Sequence, residues 1–383
     1  MKVIRDISAG ADVVVGVGKR VSRPCCLLRV QFKYCIKQVS FPQKNHYNQH
    51  FKMATVNTGK NGSAQEIIAK APWTDERGIV MKIYQGIALT VEILMLYIKM
   101  TLTWIYCIYQ FFVPPEPKSV NEEIILITGT GHGMGRETAL RFARLGGIIV
   151  CVDINPTGNQ ETVDIIKEQK GKAYRYECDV TNREAIKLMA SKIRSEVGDV
   201  TMLVNNAGIM PCKSIMQTTE KEILATFNVN ILAHLWLVQE FLPSMMEKNH
   251  GHIVALSSMA GLIGLRNLVP YCATKFAVRG MMEALHEELR EDARDFSGIK
   301  FTIICPYIVD TGLCKNPKIK FPSLMKIVTV QEAADNIVDA VRRNYFEVTI
   351  PSSLYYINQI CRAMPRAVPL YLKDFLDSGL EAE

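Results

Sequence analysis

The 383-residue chain predicts an α/β fold, a doubly wound parallel sheet of seven strands, with a membrane-associated helix ahead of it. Three observations lead there. From residue 122 onward, short apolar segments alternate with stretches of helical period. A glycine-rich turn joins the first of these segments to the first helix, and a long apolar segment, 79–115, precedes them all.

The strand candidates are "EIILIT" (123–128), "GIIVCVD" (147–153), "KAYRYECDV" (172–180), "TMLVNNAG" (201–208), "HIVALSS" (252–258), "KFTIICP" (300–306) and "FEVTIP" (346–351). The first, second and fifth are near-continuous apolar runs, as expected of parallel strands buried on both faces. Intervening stretches such as "RETALRFARLG" and "NREAIKLMASKIRSEVG" carry a helical period. Strands alternating with helices in this way argue a doubly wound sheet of the Rossmann type.

Residues 1–78 lack a sustained period and contain polar runs such as "QKNHYNQH", so a disordered extension is expected there. Met53 offers a second start, which would leave the first 52 residues outside the working protein. The net charge of +7 belongs to this extension: residues 1–60 hold 11 Lys/Arg against Asp6 and Asp12, a balance of +9, so the remainder comes to −2. Without a basic stripe interleaved with aromatics in that remainder, nucleic acid is not an expected partner. The 11 cysteines are odd in number and show no Cys-x-x-Cys spacing, which points away from a zinc site or a disulfide framework and toward a reducing compartment.

The segment 79–115 is long enough to span a bilayer. Lys82, Gln85, Glu92, Lys99, Thr103 and Gln110 recur at intervals of three, four and seven, and so line one helix face. Charge at mid-membrane is costly, which favours a helix lying in the interface or a hairpin-like anchor. Trp104, Tyr97, Tyr106 and Tyr109 suit a headgroup boundary. "PPEPKS" ends the helix. Residues 116–350 then form the expected dinucleotide-binding catalytic domain, and 351–383 an amphipathic C-terminal segment.

Strand one runs into "TGTGHGMGRETALRF", with Thr128, then Gly129, Gly131, Gly133 and Gly135 around His132 and Met134. Glycines here permit a tight turn and close backbone approach to a pyrophosphate seated on the helix N-terminus. Asp153, followed by Ile154, closes strand two 24 residues after Gly129, where an acid binds adenosine ribose hydroxyls. A carboxylate there repels a 2′-phosphate, so NAD is the expected cofactor and NADP the lesser candidate. His132 pulls the other way, since a basic residue at that point favours NADP. In "PYCATKF", Tyr271 and Lys275 are four apart and share a helix face. A free tyrosine with pKa about 10 holds its proton at neutral pH, and a neighbouring ammonium favours the phenolate.

The spacing Thr-Gly-x-x-x-Gly-x-Gly resembles the short-chain dehydrogenase/reductase superfamily, and five further motifs fall into its order between roughly residues 122 and 350. The resemblance implies that "NNAG" (Asn206, Ala207, Gly208) borders the cofactor, and that Asp179 and Val180 contact the adenine. It implies Asn230 and Ser258, thirteen residues before Tyr271, as catalytic partners of Tyr271 and Lys275. "CPYIVDTG" resembles the loop over the nicotinamide, supplying Pro306, Val309 and Thr311, with Tyr307 replacing the usual glycine. Tyr271 would act as general base in oxidation, Lys275 would stabilise the phenolate and bind the nicotinamide ribose, Ser258 would hold the substrate oxygen, and Asn230 a water.

Met210, Pro211, Met259, Leu262, Ile263 and Leu265 make the expected pocket mouth apolar. With the anchor, this resembles the membrane- and lipid-droplet-associated branch of the superfamily. That likeness implies retinol, hydroxysteroid or long-chain alcohol substrates, and the superfamily's helices commonly pair protomers into homodimers. Lys70, Arg77 and Lys82 before the anchor would send the catalytic domain to the lumen if the helix spanned, leaving Asn61 cytosolic. An interfacial anchor leaves the domain facing the cytosol on the endoplasmic reticulum or lipid droplets, in keeping with the free cysteines. An NADP-dependent carbonyl reductase and a droplet-surface binding protein without turnover are the alternative functions.

Overall fold

The computed structural model describes residues 79–314, 317–321, 326–376 and 379–380. The expectations for 1–78, with Met53, Asn61, Lys70 and Arg77, lie outside the described residues. The chain divides into two compact units, Met1–Ile87 and Ala88–Glu383. Of the first, only the opening turns of a helix are described.

That helix, α1 (Ile79–Phe112), is 34 residues long. At a rise of about 1.5 Å per residue it measures about 51 Å, against a hydrocarbon core of about 30 Å. Its stretch Met81–Phe112 has a mean hydropathy of 1.5 and is long and apolar enough to cross a membrane. Many of its apolar side chains are exposed, among them Ile93, Leu96, Trp104 and Phe111. The hydroxyls of Thr101 and Thr103 donate back to Tyr97 O (2.9 Å) and Lys99 O (2.8 Å), so these two polar groups are satisfied within the helix.

The second unit carries a seven-stranded sheet built from β1 (Ile124–Thr128), β2 (Ile148–Asp153), β3 (Lys172–Glu177), β4 (Met202–Asn205), β5 (Gly251–Leu256), β6 (Ile299–Pro306) and β7 (Glu347–Ile350). Their order is β3-β2-β1-β4-β5-β6-β7, and every neighbouring pair is parallel. The strand order reverses between β1 and β4, so the crevice outside their C-terminal ends is where such sheets bind ligands.

Period-two alternation sends side chains of each strand to opposite faces. Leu126, Val150, Leu203 and Ile253 pack under α4 (Arg183–Glu196), α6 (Ala233–Lys248) and α7 (Val269–Glu291). Ile125, Ile127, Ile149 and Val204 pack under α2 (Gly133–Arg144), α3 (Pro156–Glu168) and α8 (Val330–Arg342). Both faces are thereby covered, which is why the strands read as apolar runs. Helix starts follow local capping chemistry: Asn155 caps α3 and Asn182 caps α4. The short α5 (Glu220–Phe227) opens on a Thr219/Glu222 capping box.

Two strands stop earlier than their apolar runs suggest. The fourth ends at Asn205 because the N–H groups of Asn206 and Ala207 turn to Thr128 Oγ1 at 3.0 Å each. The third ends at Glu177, where Cys178 N donates to Asp153 O across 3.1 Å. The linker after α1 is held on the domain, with Lys118 N donating to Arg342 O at 2.7 Å and Arg342 Nε to Lys118 O at 3.0 Å. Beyond β7, residues 351–376 form α9 (Ser353–Ala363) and α10 (Ala367–Leu376). Pro317–Lys318 pairs antiparallel with Gly379–Leu380, tying the segment after Thr311 to the C-terminus.

Candidate active site

The glycine-rich turn between β1 and α2 adopts the conformation its composition suits. Gly129 and Gly133 have φ of +74° and +60°, where a side chain is strained. A Cβ on Gly135 would lie 2.0 Å from Gly129 O, so only glycine lets α2 start this close to the turn. His132 precedes α2 without a side-chain cap, and no acid occupies the first turn, leaving the helix N-terminus open to an anion. Asp153, at the end of β2, stands against the loop: its Oδ2 accepts from Gly131 N at 2.7 Å and its Oδ1 from Asn155 N at 2.8 Å. Each oxygen keeps a lone pair for a further donor.

The loop rests on polar groups that no sequence motif had singled out. Thr130 Oγ1 donates to Asn159 Oδ1 (2.8 Å), Thr162 Oγ1 to Thr130 O (2.7 Å), and Arg136 Nη2 to Gly131 O (2.6 Å). Asn159 Nδ2 in turn donates to Cys151 O and Tyr176 O, at 3.1 and 3.0 Å. A buried Asn four residues into a helix, facing strand ends, is a signal that only the assembled fold exposes. On the other side, Asn206 Nδ2 donates to Thr128 O at 2.7 Å. Thr311 leans on the loop, its side chain 3.4 Å from where a Gly133 Cβ would stand. Ile154 is exposed behind Asp153, Val180 is buried, and Asp179 accepts from Thr181 N and Thr181 Oγ1 at 2.8 and 2.7 Å. Gly-lined cradle, open helix N-terminus and strand-end carboxylate fit a dinucleotide.

Residues from three further elements converge beside this cradle. Ser258 leads a 3₁₀ turn, Met259–Gly261, its Oγ accepting from Ala260 N (3.1 Å) and lying 3.4 Å from Pro306 O. Tyr271 and Lys275 sit in the first two turns of α7 and are 7% and 4% exposed. Lys275 Nζ donates to Leu256 O at 2.7 Å and lies 5.6 Å from the Tyr271 ring centroid. Asn230 occupies a single π turn, Asn228–Leu232, between α5 and α6. Its amide clamps Ile209 both ways, at 2.9 Å each, and reaches Thr274 Oγ1 at 3.2 Å. Asn230 Oδ1 and Lys275 Nζ stand 3.3 and 3.6 Å from the point a Gly208 Cβ would occupy, so both border one small space.

Burial dominates the electrostatics of the buried pair. Burial pushes the Tyr271 phenol up to about 12, and the Ser258 hydrogen bond offsets this only in part. The Lys275 ammonium is turned to Leu256 O and is itself lowered to about 8 by burial. His234, one turn after Asn230, stays neutral: burial first, then the Lys275 charge, hold it at about 3. Cys151 and Cys305 are buried free thiols, each raised to about 12 by burial.

Ser258 and Tyr271 form part of the wall of a cavity of about 540 Å³, which Met134 and Thr311 also border. Of the residues expected at its mouth, Met210, Met259, Ile263 and Leu265 line it; Leu262 is instead packed in the core, and Pro211 is outside the lining. Part of the remaining wall comes from α9 and α10, latched by Arg362 Nη2 to Leu262 O (3.2 Å) and Lys373 Nζ to Gly264 O (2.9 Å), and part from the loop after β6.

Residues 123–319 match the family model described as short chain dehydrogenase. The chain belongs to the short-chain dehydrogenase family. Among relatives of this short-chain dehydrogenase, short-chain dehydrogenase/reductase family 16C member 6 of Bos taurus is 40% identical over 276 residues, covering 71% of this chain and 82% of that protein. Human 17-beta-hydroxysteroid dehydrogenase 13 is 38% identical over 291 residues, covering 76% and 95%. Mouse epidermal retinol dehydrogenase 2 is 39% identical over 268 residues, covering 70% and 86%. A short-chain dehydrogenase/reductase from Burkholderia phymatum, crystallised with NAD, superposes with a TM-score of 0.57 at 24% identity, covering 64% of this chain and 94% of its own, and shares the fold. The protein is accordingly an oxidoreductase of the short-chain dehydrogenase type, whose fold binds NAD(P).

Proposed function

We propose that the protein oxidises a lipophilic alcohol, a retinol, a hydroxysteroid or a long-chain alcohol, to its carbonyl with NAD. The observation carrying this reading is that one largely apolar cavity is bordered at once by Tyr271, Ser258 and the dinucleotide loop residue Met134. The similarity to human 17-beta-hydroxysteroid dehydrogenase 13 and mouse epidermal retinol dehydrogenase 2 supports the substrate class.

Bound nicotinamide supplies the hydride acceptor for the carbinol C–H. The chain's own residues do the rest. Ser258 Oγ donates to the substrate oxygen as negative charge develops there. Tyr271 takes the hydroxyl proton in oxidation and returns it in reduction. Lys275, buried within one turn of Tyr271, places a positive charge beside the phenolate and reaches the nicotinamide ribose. Asn230 holds Ile209 and borders the space next to Lys275, where a water links the ammonium to solvent. Gly129, Gly131, Gly133 and Gly135 hold the pyrophosphate, Asp153 and Ile154 the adenosine ribose, Asp179 and Val180 the adenine, and Asn206, Ala207, Gly208, Pro306, Val309 and Thr311 the nicotinamide side. Asp153 favours NAD over NADP because its carboxylate, held at the end of the loop by Gly131 N and Asn155 N, opposes the charge of a 2′-phosphate.

The exposed apolar surface of α1, and the apolar residues Ile357, Ile360, Leu370 and Phe375 exposed on α9 and α10, support uptake of the alcohol from a membrane or droplet surface. We place the catalytic domain on the cytosolic side of the endoplasmic reticulum or of lipid droplets, as a homodimer. Protease protection in intact microsomes checks the side: digestion of the catalytic domain is expected, and full protection would refute it.

The chemical test is Tyr271→Phe. Turnover is expected to fall by about 10²–10⁴, the range for loss of a general acid–base group, with NAD affinity and melting temperature retained. Near-native turnover by a folded, NAD-binding Tyr271→Phe would overturn the assignment.

A further inference from the structure

Thr274 lies in α7 beside Lys275, fully buried. Its Oγ1 donates to Tyr271 O, three residues back, at 2.8 Å, and accepts from Asn230 Nδ2 at 3.2 Å. Threonine is a poorer helix former than alanine, and a buried hydroxyl is costly unless it is bonded. Here both bonds are made, and the direction of one dictates the other. The Tyr271 carbonyl can only accept, so the single hydroxyl proton goes to it. The oxygen lone pairs are left for Asn230, which therefore turns its Nδ2 to α7. Bonding back to the i−3 carbonyl also fixes the Thr274 rotamer and holds those lone pairs in place.

Asn230 stands in the π turn Asn228–Leu232, an irregular backbone of a kind frequent at functional sites. Two of its amide bonds, from Ile209 N and to Ile209 O, tie it to the loop after β4. The third crosses to α7, the helix of Tyr271 and Lys275. The same helix is fastened to the end of β5, where Ser257 Oγ donates to Lys275 O at 2.9 Å and Lys275 Nζ to Leu256 O at 2.7 Å. Asn230 Oδ1 and Lys275 Nζ border one small space beside Gly208, so its width follows from how the π turn is registered on α7. We infer that Thr274 is a positioning residue, whose hydroxyl registers Asn230 against the Tyr271 backbone and holds that space at the width proton passage requires. This rests on the proposed alcohol oxidation, in which the carbinol proton leaves through Tyr271 and Lys275. Sealed from solvent, Thr274 acts through Asn230 and Tyr271 rather than on a ligand.

The test uses the full chain with NAD and retinol, a 17-hydroxysteroid and a long-chain alcohol as substrates. Thr274→Val keeps the shape and removes the hydroxyl, whereas Thr274→Ser keeps the hydroxyl. Thr274→Val is expected to lower kcat about tenfold, the factor one hydrogen bond supplies, with KM and the NAD dissociation constant within about twofold of native. The solvent deuterium isotope effect on kcat should rise, because proton passage becomes the slow step. Thr274→Ser is expected to bring kcat back to within about twofold of native and the isotope effect back with it. The registration is also read without turnover, as backbone hydrogen exchange over the π turn 228–232, which should be faster in Thr274→Val than in Thr274→Ser or the native chain. If Thr274→Val does not fold, Thr274→Cys, a weaker donor and acceptor of similar size, is read in the same way. Native kcat in the folded valine variant, a loss that serine does not restore, or unchanged exchange in the π turn would overturn the inference. Faster exchange in Thr274→Val beside a native chain that oxidises none of the three alcohols would instead sink the proposed oxidation, so the two failures are distinguishable.

Discussion

Gly131 donates its backbone N–H to Asp153 Oδ2 across 2.7 Å, joining the phosphate loop to the end of the second strand. Asn155 N donates to the other oxygen, so the carboxylate is oriented before any ribose reaches it. Asp153→Asn puts an N–H where one of these donors points and removes the charge that opposes a 2′-phosphate. The KM for NAD is expected to rise about tenfold, from loss of one charge-assisted bond, while NADP is used better than by the native protein. Steady-state kinetics with both cofactors check this, and an unchanged NAD/NADP ratio would count against Asp153 as the discriminator.

Gly135 leaves no room for a methyl group: its Cβ would lie 2.0 Å from Gly129 O and 2.6 Å from Asn206 Nδ2. Gly135→Ala has to push α2 off the turn. A stability loss of about 1–3 kcal/mol, the range for overpacking, is expected together with weakened NAD binding. Thermal melts and cofactor titration read the two effects independently.

Gly261 performs the same service on the substrate side. A Cβ there would meet Ser257 Oγ at 2.4 Å and Lys275 O at 2.6 Å, where the 3₁₀ turn packs on α7. Gly261→Ala is expected to separate Ser258 from Tyr271, lowering kcat at least tenfold by misplacing reacting groups. Cofactor affinity should change little, because the phosphate loop lies on other elements. A kcat loss matched by an equal loss of NAD binding would contradict this division.

Lys275 titrates at about 8 in the fold and at about 10.4 in an unfolded chain. Between these values the unfolded state binds more protons, so stability rises with pH across that window. Below about pH 8 the buried ammonium's cost is fully present. Lys275→Met, inactive, is therefore expected to melt above the native protein at pH 7, with the gap narrowing by pH 10. A gap independent of pH would show that Lys275 is not a depressed lysine.

Much of the dinucleotide half was legible from residue order. Tyr271 and Lys275 share a face because helical period is a local property, and the Gly129–Gly135 turn and Asp153 occupy strand ends that apolar runs already mark. The missed residues act across distance. Asn159 and Thr162 brace the phosphate loop from α3, and nothing in their own neighbourhood announces it. The family resemblance gives Asn230 a water to hold, and the structure makes it a clamp on Ile209, 21 residues away. Spacing shows the ammonium near Tyr271, but not the burial that raises the phenol.

Sequence alone settled the order of strands and helices, the glycine-rich turn and the helical pairing of Tyr271 with Lys275, since each depends on contacts within a few residues. Assembly of the chain settled what those groups experience. Ser258 meets Tyr271 only because β5 and α7 pack together. α9 and α10 roof the cavity only because Arg362 and Lys373 reach carbonyls about a hundred residues back in the chain. Burial and electrostatics sum over everything nearby in space, and so the opposing effects of burial on Tyr271 and Lys275 came into view with the tertiary fold.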